Sequence, residues 1–259
     1  MSSRDIVFEG QVWRVFPVPG KARLVVECRY STDRKVSFSS IDLKTAKVNG
    51  VFQDPEEPWW LSVSQVMEDY LILHGFRDAQ HPEPLGIWVL KTDDAKLLWK
   101  NKSWTLAEPA EGEVIQMKDG GAGSEPFFIH LKNGSKASEI KASGQNLSSS
   151  SAPDTSAHYS EGTEAFEEVQ SFLKDLYGFH PVSGLDYQEY ADRVVISFYL
   201  YEKEAYTNRL LVLDAEGNTL LNETLSDGNK GIGSGTFLIH ENKLVFVRQL
   251  STLVLYDLS

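Results

Sequence analysis

Two carboxylates stand three residues apart in the run Asp186-Tyr187-Gln188-Glu189-Tyr190. Paired acids suggest glycoside hydrolysis, in which one acid protonates the leaving oxygen and the other attacks the sugar or activates water. Acids on a solvated loop share that spacing, so the run alone selects no catalyst. Trp59 and Trp60 follow Pro55-Glu56-Glu57-Pro58. Adjacent side chains of a strand face opposite sides, which would put one indole in the core and leave the other to stack on a sugar or peptide. His130 and His240 each end an apolar run, and residues 121–130 and 231–240 agree at six of ten positions at a shift of 110. Two histidines make no metal site without a third ligand. Trp59, Trp60, Asp186, Tyr187, Glu189, His130 and His240 are the ligand-binding candidates. No catalytic or metal-binding set is assigned, and no cofactor is expected.

Other chemistries lack their equipment. The Gly-rich stretch Gly228-Asn229-Lys230-Gly231-Ile232-Gly233-Ser234-Gly235 invites a phosphate reading. Phosphate loops lie between a strand and a helix whose N-terminus meets the anion, whereas here a strand-like run follows. The chain has no His-Glu-x-x-His, no Gly-x-Ser-x-Gly and no calcium loop. Its one cysteine, Cys28, alternates with Leu24 and Val26 and reads as a buried small hydrophobe. A net charge of −12 repels nucleic-acid phosphates and anionic lipids, which leaves an unknown protein or small molecule as the partner class.

The elements that must position these residues are strands, because the apolar pattern has a period of two. Residues 36–42, 86–90, 127–131, 209–214 and 253–257 are apolar-rich runs, and the first four lead into polar turns. The turns include Lys132-Asn133-Gly134 and Ala215-Glu216-Gly217-Asn218, whose Gly and Asn accept the positive φ of hairpins. Aligned on Asp42, Lys91, Lys132, Asp214 and Asp257, the offsets are 49, 41, 82 and 43, and 82 is twice 41. A further strand precedes most of these, at 22–27, 69–74, 192–199 and 243–247. Three to four strands in about 42 residues is the dimension of a β-propeller blade.

One segment departs from the pattern. Residues 144–160 are Ser-rich and read as a mobile loop. Residues 161–177 place Phe166, Val169, Phe172, Leu173 and Leu176 at spacings of three and four, an amphipathic helix with Thr163 as its cap and Gly178 and Pro181 at its end. Setting this insertion aside leaves room for about five blades. The last unit, 235–259, has space for only three strands, and residues 5–9 are expected to supply the missing edge.

Residues 88–99 resemble a blade of the quinoprotein-type propellers, which run strand, Asp-x-x-x-Gly-Lys, apolar pair, Trp; Ala95 stands where that family has Gly. Residues 211–222 keep the Asp and Gly but end in Asn222. The resemblance implies architecture and carries over no quinone or metal ligand. The C-terminal half is similar to an uncharacterised bacterial family of unknown function, on Phe172-Leu173, the 186–190 run and the Gly-rich 231–235.

The sequence therefore predicts an all-β fold, a small β-propeller of about five antiparallel blades forming one domain over residues 1–259. An inserted loop and helix occupy about 144–178. The expected function is that of a noncatalytic binding or interaction scaffold, with a propeller-type glycoside hydrolase as the alternative. With Met1 as the native start there is no signal or membrane-spanning run, so a monomeric cytoplasmic protein is expected, bound to neither membrane nor nucleic acid.

Overall fold

Runs of β-branched and aromatic residues broken by Gly, Asn and Asp become strands joined by tight turns. The computed structural model describes residues 2–78, 80–109, 112–120, 124–137 and 156–259, and within them it holds twenty strands and one helix. β1 (Ser3–Val7) leads the chain. β2 (Gln11–Pro17), β3 (Arg23–Tyr30), β4 (Lys35–Asp42) and β5 (Lys47–Phe52) form an antiparallel meander. β6 (Leu61–Val66), β7 (Tyr70–Phe76), β8 (Pro84–Lys91) and β9 (Leu97–Asn101) form a second. β10 (Trp104–Leu106), β11 (Val114–Asp119) and β12 (Phe127–His130) form a three-stranded sheet. β13 (Ala157–Ser160), helix α1 (Glu164–Tyr177), β14 (Gly184–Tyr190), β15 (Arg193–Glu202), β16 (Ala205–Leu213) and β17 (Thr219–Asn229) follow, their strands ordered β13-β14-β15-β16-β17. β18 (Phe237–His240), β19 (Lys243–Arg248) and β20 (Thr252–Asp257) form the last meander, and β1 completes it beside β20.

The regular hairpin spacing has an architectural cause. Asp42, Lys91 and Asp257 end β4, β8 and β20, while Lys132 and Asp214 fall just past β12 and β16. Four of these strands are next to last in their sheets, and β12 is the last described strand of its own. Aspartate recurs there because its carboxylate accepts the N–H groups of the turn. Asp42 Oδ1 accepts from Thr45 N (2.8 Å), and Asp214 Oδ1 from Asn218 N (2.7 Å).

The chain divides into two compact units, one of Gly10–Ser150 and one of Met1–Glu9 with Ser151–Ser259. In the first unit, Val25 and Phe38 of one meander pack on Leu71, Leu73 and Trp88 of the next. The opposite face of that second meander, with Ile72, Ile87 and Val89, packs on Ile115, Met117 and Ile129 of β11 and β12. Gly50 of β5 lies so close to the turn after β8 that an added Cβ would come within 1.7 Å of Asp94 O, so no larger residue fits there.

In the second unit, Val195, Leu210 and Val212 face Phe237, Leu244 and Phe246 of the last meander. Ile196, Phe198 and Leu211 alternate with them and bury Phe166 and Leu173 of α1. The helix thus covers one face of a sheet. Its ends are as expected: Thr163 Oγ1 accepts from Phe166 N, and Gly178 takes the left-handed cap at φ 70°. The Ser-rich run falls largely on residues 138–155, outside the described residues. Its tail, read as loop, is instead strand β13, since residues 157–160 pair with residues 184–187 of β14. Among the described residues no helix is long and apolar enough to cross a membrane.

The expected N-terminal edge strand is present. β1 pairs with β20 over five positions, from Ser3↔Tyr256 to Val7↔Thr252. Phe8 N donates to Ser251 O (2.9 Å), and Asp5 forms an ion pair with Arg248. Side chains of β1 are mostly exposed, so its contribution lies in backbone hydrogen bonds and in covering an edge. Deleting residues 2–9 is expected to lower stability by on the order of 3 kcal/mol. Urea melts and faster exchange of the β20 amides check this; an unchanged melt would refute it.

Asp257 supplies a second test. Lys243 and then Ser259 hold its carboxyl at about 2, below the ordinary 3.8. A depressed carboxylate stabilises above its unfolded value and loses that contribution as pH falls through the folded one. Lys243→Met should therefore melt lower than the parent chain at neutral pH, with the gap closing between about pH 4 and 2. Melts across pH 2–7 read this directly.

Candidate functional site

The run 186–190 lies in β14, so its side chains alternate. Asp186 faces the last meander and is 2% exposed. Tyr187 and Glu189 take the other face, where Tyr187 Oη donates to Glu189 Oε1 (2.7 Å) and stacks on Tyr159. Burial, then Glu189, pushes the Tyr187 phenol up to about 12. The two acids three residues apart are therefore on opposite sides of one strand. They cannot act together on one sugar.

Asp186 is instead the head of a buried polar chain. His158 Nδ1–H donates to Oδ1 (2.8 Å). Thr236 donates both its backbone N–H and its hydroxyl to Oδ2 (each 2.9 Å). The Thr236 hydroxyl stands 2.7 Å from Ser197 Oγ, which donates to Asn208 Oδ1 (2.9 Å). Asn208 Nδ2–H (3.2 Å) and Gly233 N–H (2.9 Å) both donate to Tyr199 Oη. The Gly-rich loop between β17 and β18 is thus fastened at Gly233 and Thr236 to the preceding sheet. Gly184 packs closely beside it, since an added Cβ would stand 3.0 Å from the His158 ring and push it aside by a few tenths of an ångström.

Histidine, aspartate and a hydroxyl are the parts of a hydrolytic triad, but the order is wrong. A triad places imidazole between hydroxyl and carboxylate, so that it can take the hydroxyl proton. Here the carboxylate stands between them, and the hydroxyl is held rather than activated. The arrangement is a clamp.

At its start the fastened loop carries Asn229 and Lys230 to an open cleft of about 550 Å³, also lined by Glu161, Ser183, Tyr201, Glu204 and Tyr206. The Tyr206 ring packs against Tyr199 at 6.3 Å and Tyr201 at 4.9 Å. Ser183 N–H donates to Glu161 Oε2 (2.7 Å), and Asn229 Nδ2–H reaches Tyr206 O (3.3 Å). Two phenol rings with hydroxyl, amide, ammonium and carboxylate groups around them suit a polar ligand.

The remaining candidates lie elsewhere. Trp59 and Trp60 are not in a strand but in the bends before β6, so neither enters the core; Trp59 is half-buried and Trp60 is 44% exposed. Proline at 55 and 58 keeps the segment from joining a ladder. The loop is anchored by Asp54, which accepts from Trp88 Nε1 (2.5 Å), Lys100 Nζ (3.0 Å) and Glu56 N (2.8 Å). Burial opposes the Asp54 charge, but these donors outweigh it and lower its pKa. His130 is exposed and its carbonyl accepts from Gly134 N (2.8 Å); His240 is half-buried and pairs with Lys243 across a turn. β12 pairs with the strand before it and β18 with the strand after it, so the two matching decapeptides occupy different sheet positions. Residues 121–123 of the first lie outside the described residues. Burial, then Glu27, pushes the Cys28 thiol up to about 12, so it is no nucleophile. Among the described residues no three His, Cys, Asp or Glu side chains gather as metal ligands would.

Sequence reading missed His158, Ser197, Tyr199, Asn208, Tyr206 and Thr236. The available signal was polarity at strand positions where alternation demands apolar residues, as at Asp186 and Ser197.

Residues 19–99 match the profile of a domain of unknown function, DUF4905. That stretch runs from before β3 into β9. No curated protein matches the chain. Among solved structures, the chain is similar to BamB from Moraxella catarrhalis at 7% identity and TM-score 0.32, over 94% of this chain and 84% of that one. It is similar to the β-propeller domain of Cps50 (Swd1) from Myceliophteria thermophila at 12% identity and TM-score 0.32, over 96% and 69%. A DUF4221 family member from Bacteroides vulgatus aligns at 6% identity and TM-score 0.35, over 98% and 95%.

Removing the head of the clamp should loosen the loop. Asp186→Ala leaves His158 and Thr236 without their buried acceptor and is expected to cost about 3 kcal/mol. Hydrogen exchange at the Gly233 and Thr236 amides should accelerate well before global unfolding; retained protection there would contradict the clamp.

Proposed function

We propose that this chain is a noncatalytic binding protein whose ligand occupies the Tyr201–Tyr206 cleft. We further infer that its five sheets are the blades of one small β-propeller-like domain, with β1 completing the last. The recurrence of antiparallel sheets along the chain and the N-terminal strand in the final sheet support the architecture. One observation carries the function. A buried polar chain from His158 to Tyr199 fastens the Gly-rich loop, which supplies Asn229 and Lys230 to the 550 Å³ cleft, yet it offers no activated nucleophile. Rigid walls lower the ordering entropy of binding. Tyrosine rings with hydroxyl, amide and mixed-charge neighbours suit a small hydroxylated ligand such as a short oligosaccharide.

Saturation-transfer NMR with a panel of oligosaccharides and short peptides tests the reading. A sugar ligand should transfer from the Tyr201 and Tyr206 rings. Tyr206→Ala should weaken binding at least about tenfold, the loss expected for an aromatic stacking contact of roughly 1.5 kcal/mol. Turnover of a chromogenic glycoside would replace the reading with an enzymatic one, and binding undisturbed by Tyr206→Ala would displace the site.

A further inference from the structure

The unit Gly10–Ser150 holds a second polar cluster, apart from the cleft and independent of the reading above. Glu27 lies within the otherwise apolar run of residues 24–28 and is fully buried. A lone buried carboxylate is untenable, and two guanidinium groups hold this one. Arg14 donates from Nε (3.1 Å) and Nη2 (2.8 Å) to Oε2. Arg29 donates from Nε to Oε1 (2.9 Å) and from Nη2 to the same oxygen. Arg29 is absorbed by the fold. Its Nη1 donates to Trp59 O and its Nη2 to Leu61 O, each at 2.7 Å, and its guanidinium lies 5.2 Å from the Trp59 ring centre.

Arg14 is held differently. Its Nη2 also bonds Ser62 Oγ, yet its side chain is 40% exposed, and among the described residues Nη1 has no hydrogen-bond partner. One carboxylate neutralises one guanidinium. A single positive charge is left over, and it resides on the half-exposed member. Glu27 and Ser62 fix the plane of that guanidinium, so a ligand would not have to order it. His74, which pairs with Ser62 across β6 and β7, adds no second charge, because burial and then Arg14 lower its pKa.

Aromatic rings continue from this charge. Phe16 lies 5.2 Å beneath the Arg14 guanidinium. The His74 ring meets Phe76 at 4.9 Å, and Phe76 meets Trp60 edge-on at 6.4 Å. Asp54 and Glu57, which accepts from Trp60 N (3.1 Å), anchor the loop that holds the exposed indole. A preset cation at one end of an aromatic row is unexpected on a chain of net charge −12 unless it meets an anion.

We propose that Arg14, with Trp60 as an apolar shelf, forms a site for a carboxylate attached to an aromatic or apolar body, the chemistry of a small aryl acid or of a peptide ending in an apolar residue. The carboxylate pairs with the free Nη1 edge of Arg14, and the apolar body lies along Phe76 and Trp60.

Titration of the full chain with 3-phenylpropionate and its neutral amide, followed by indole and arginine Nε–H NMR signals, tests the site. The acid should shift the Trp60 and Arg14 signals, and the amide should bind at least about tenfold more weakly, as expected for loss of a charge-assisted pair. Arg14→Gln should weaken the acid by a similar factor while Arg29 still holds Glu27. If that variant unfolds, Trp60→Ala replaces it and should weaken 3-phenylpropionate more than acetate. Equal binding of acid and amide, unaltered affinity in a folded Arg14→Gln, or equal loss of acetate and 3-phenylpropionate in Trp60→Ala would overturn the proposal. A protein-borne C-terminus as the natural source would appear as tighter binding by an apolar-ended hexapeptide than by its C-terminal amide. Equal binding of those two peptides would exclude that source.

Discussion

A short strand meander that is apolar on both faces must be covered on both. That constraint organises this chain. Every square ångström left to water costs roughly 25 cal/mol, and a small sheet exposes too much to stand alone. The meander β6–β9 meets the requirement with a sheet on either side. The sheet β13–β17 meets it with the last meander on one face and α1 on the other. The helix is therefore not an ornament on a β fold. It stands where a further sheet would otherwise be needed.

The same constraint explains where the polar chemistry sits. Glu27 and Asp186 both occupy strand positions that alternation assigns to a covered face, and both are buried. Each is held by side chains that tie its strand to a later segment. Arg14 and Arg29 link Glu27 to the segment of residues 59–62, and Thr236 links Asp186 to the lead-in of β18. An acid so placed costs desolvation and returns directional bonds that fix one packing arrangement. The exposed groups beside each acid inherit that fixed geometry: Arg14 and Trp60 in one unit, Tyr206 and the Gly-rich loop in the other.

Much of the fold was legible in the sequence, because period-two patterning and Asp-led turns are local signals. The strands ending near Asp42, Lys91, Lys132, Asp214 and Asp257, the helix with its Thr163 cap, and the need for an N-terminal edge strand all follow from such signals. The sites were less legible. Asp186 was singled out, but its partners His158 and Thr236 lie 28 and 50 residues away, and spacing along a chain does not report which face of a strand a residue takes. Trp59 and Trp60 were singled out as a strand pair, whereas Pro55 and Pro58 keep them in a loop. Glu27 was passed over because its neighbours are apolar, which is also why its burial demands partners.

Pairing β1 with β20 also has a consequence in time. Strand β1 is made about 245 residues before the nearest residue it pairs with, Val7 against Thr252. Until then, one strand waits without a ladder and the final meander lacks its outer edge. Closing so long a loop is slow, although its entropy grows only logarithmically with length. Among the described residues, the strands of 10–150 pair only among themselves, so they can assemble while synthesis continues. Strand β1 is then secured long after it is made, and its own edge stands unpaired until β20 arrives.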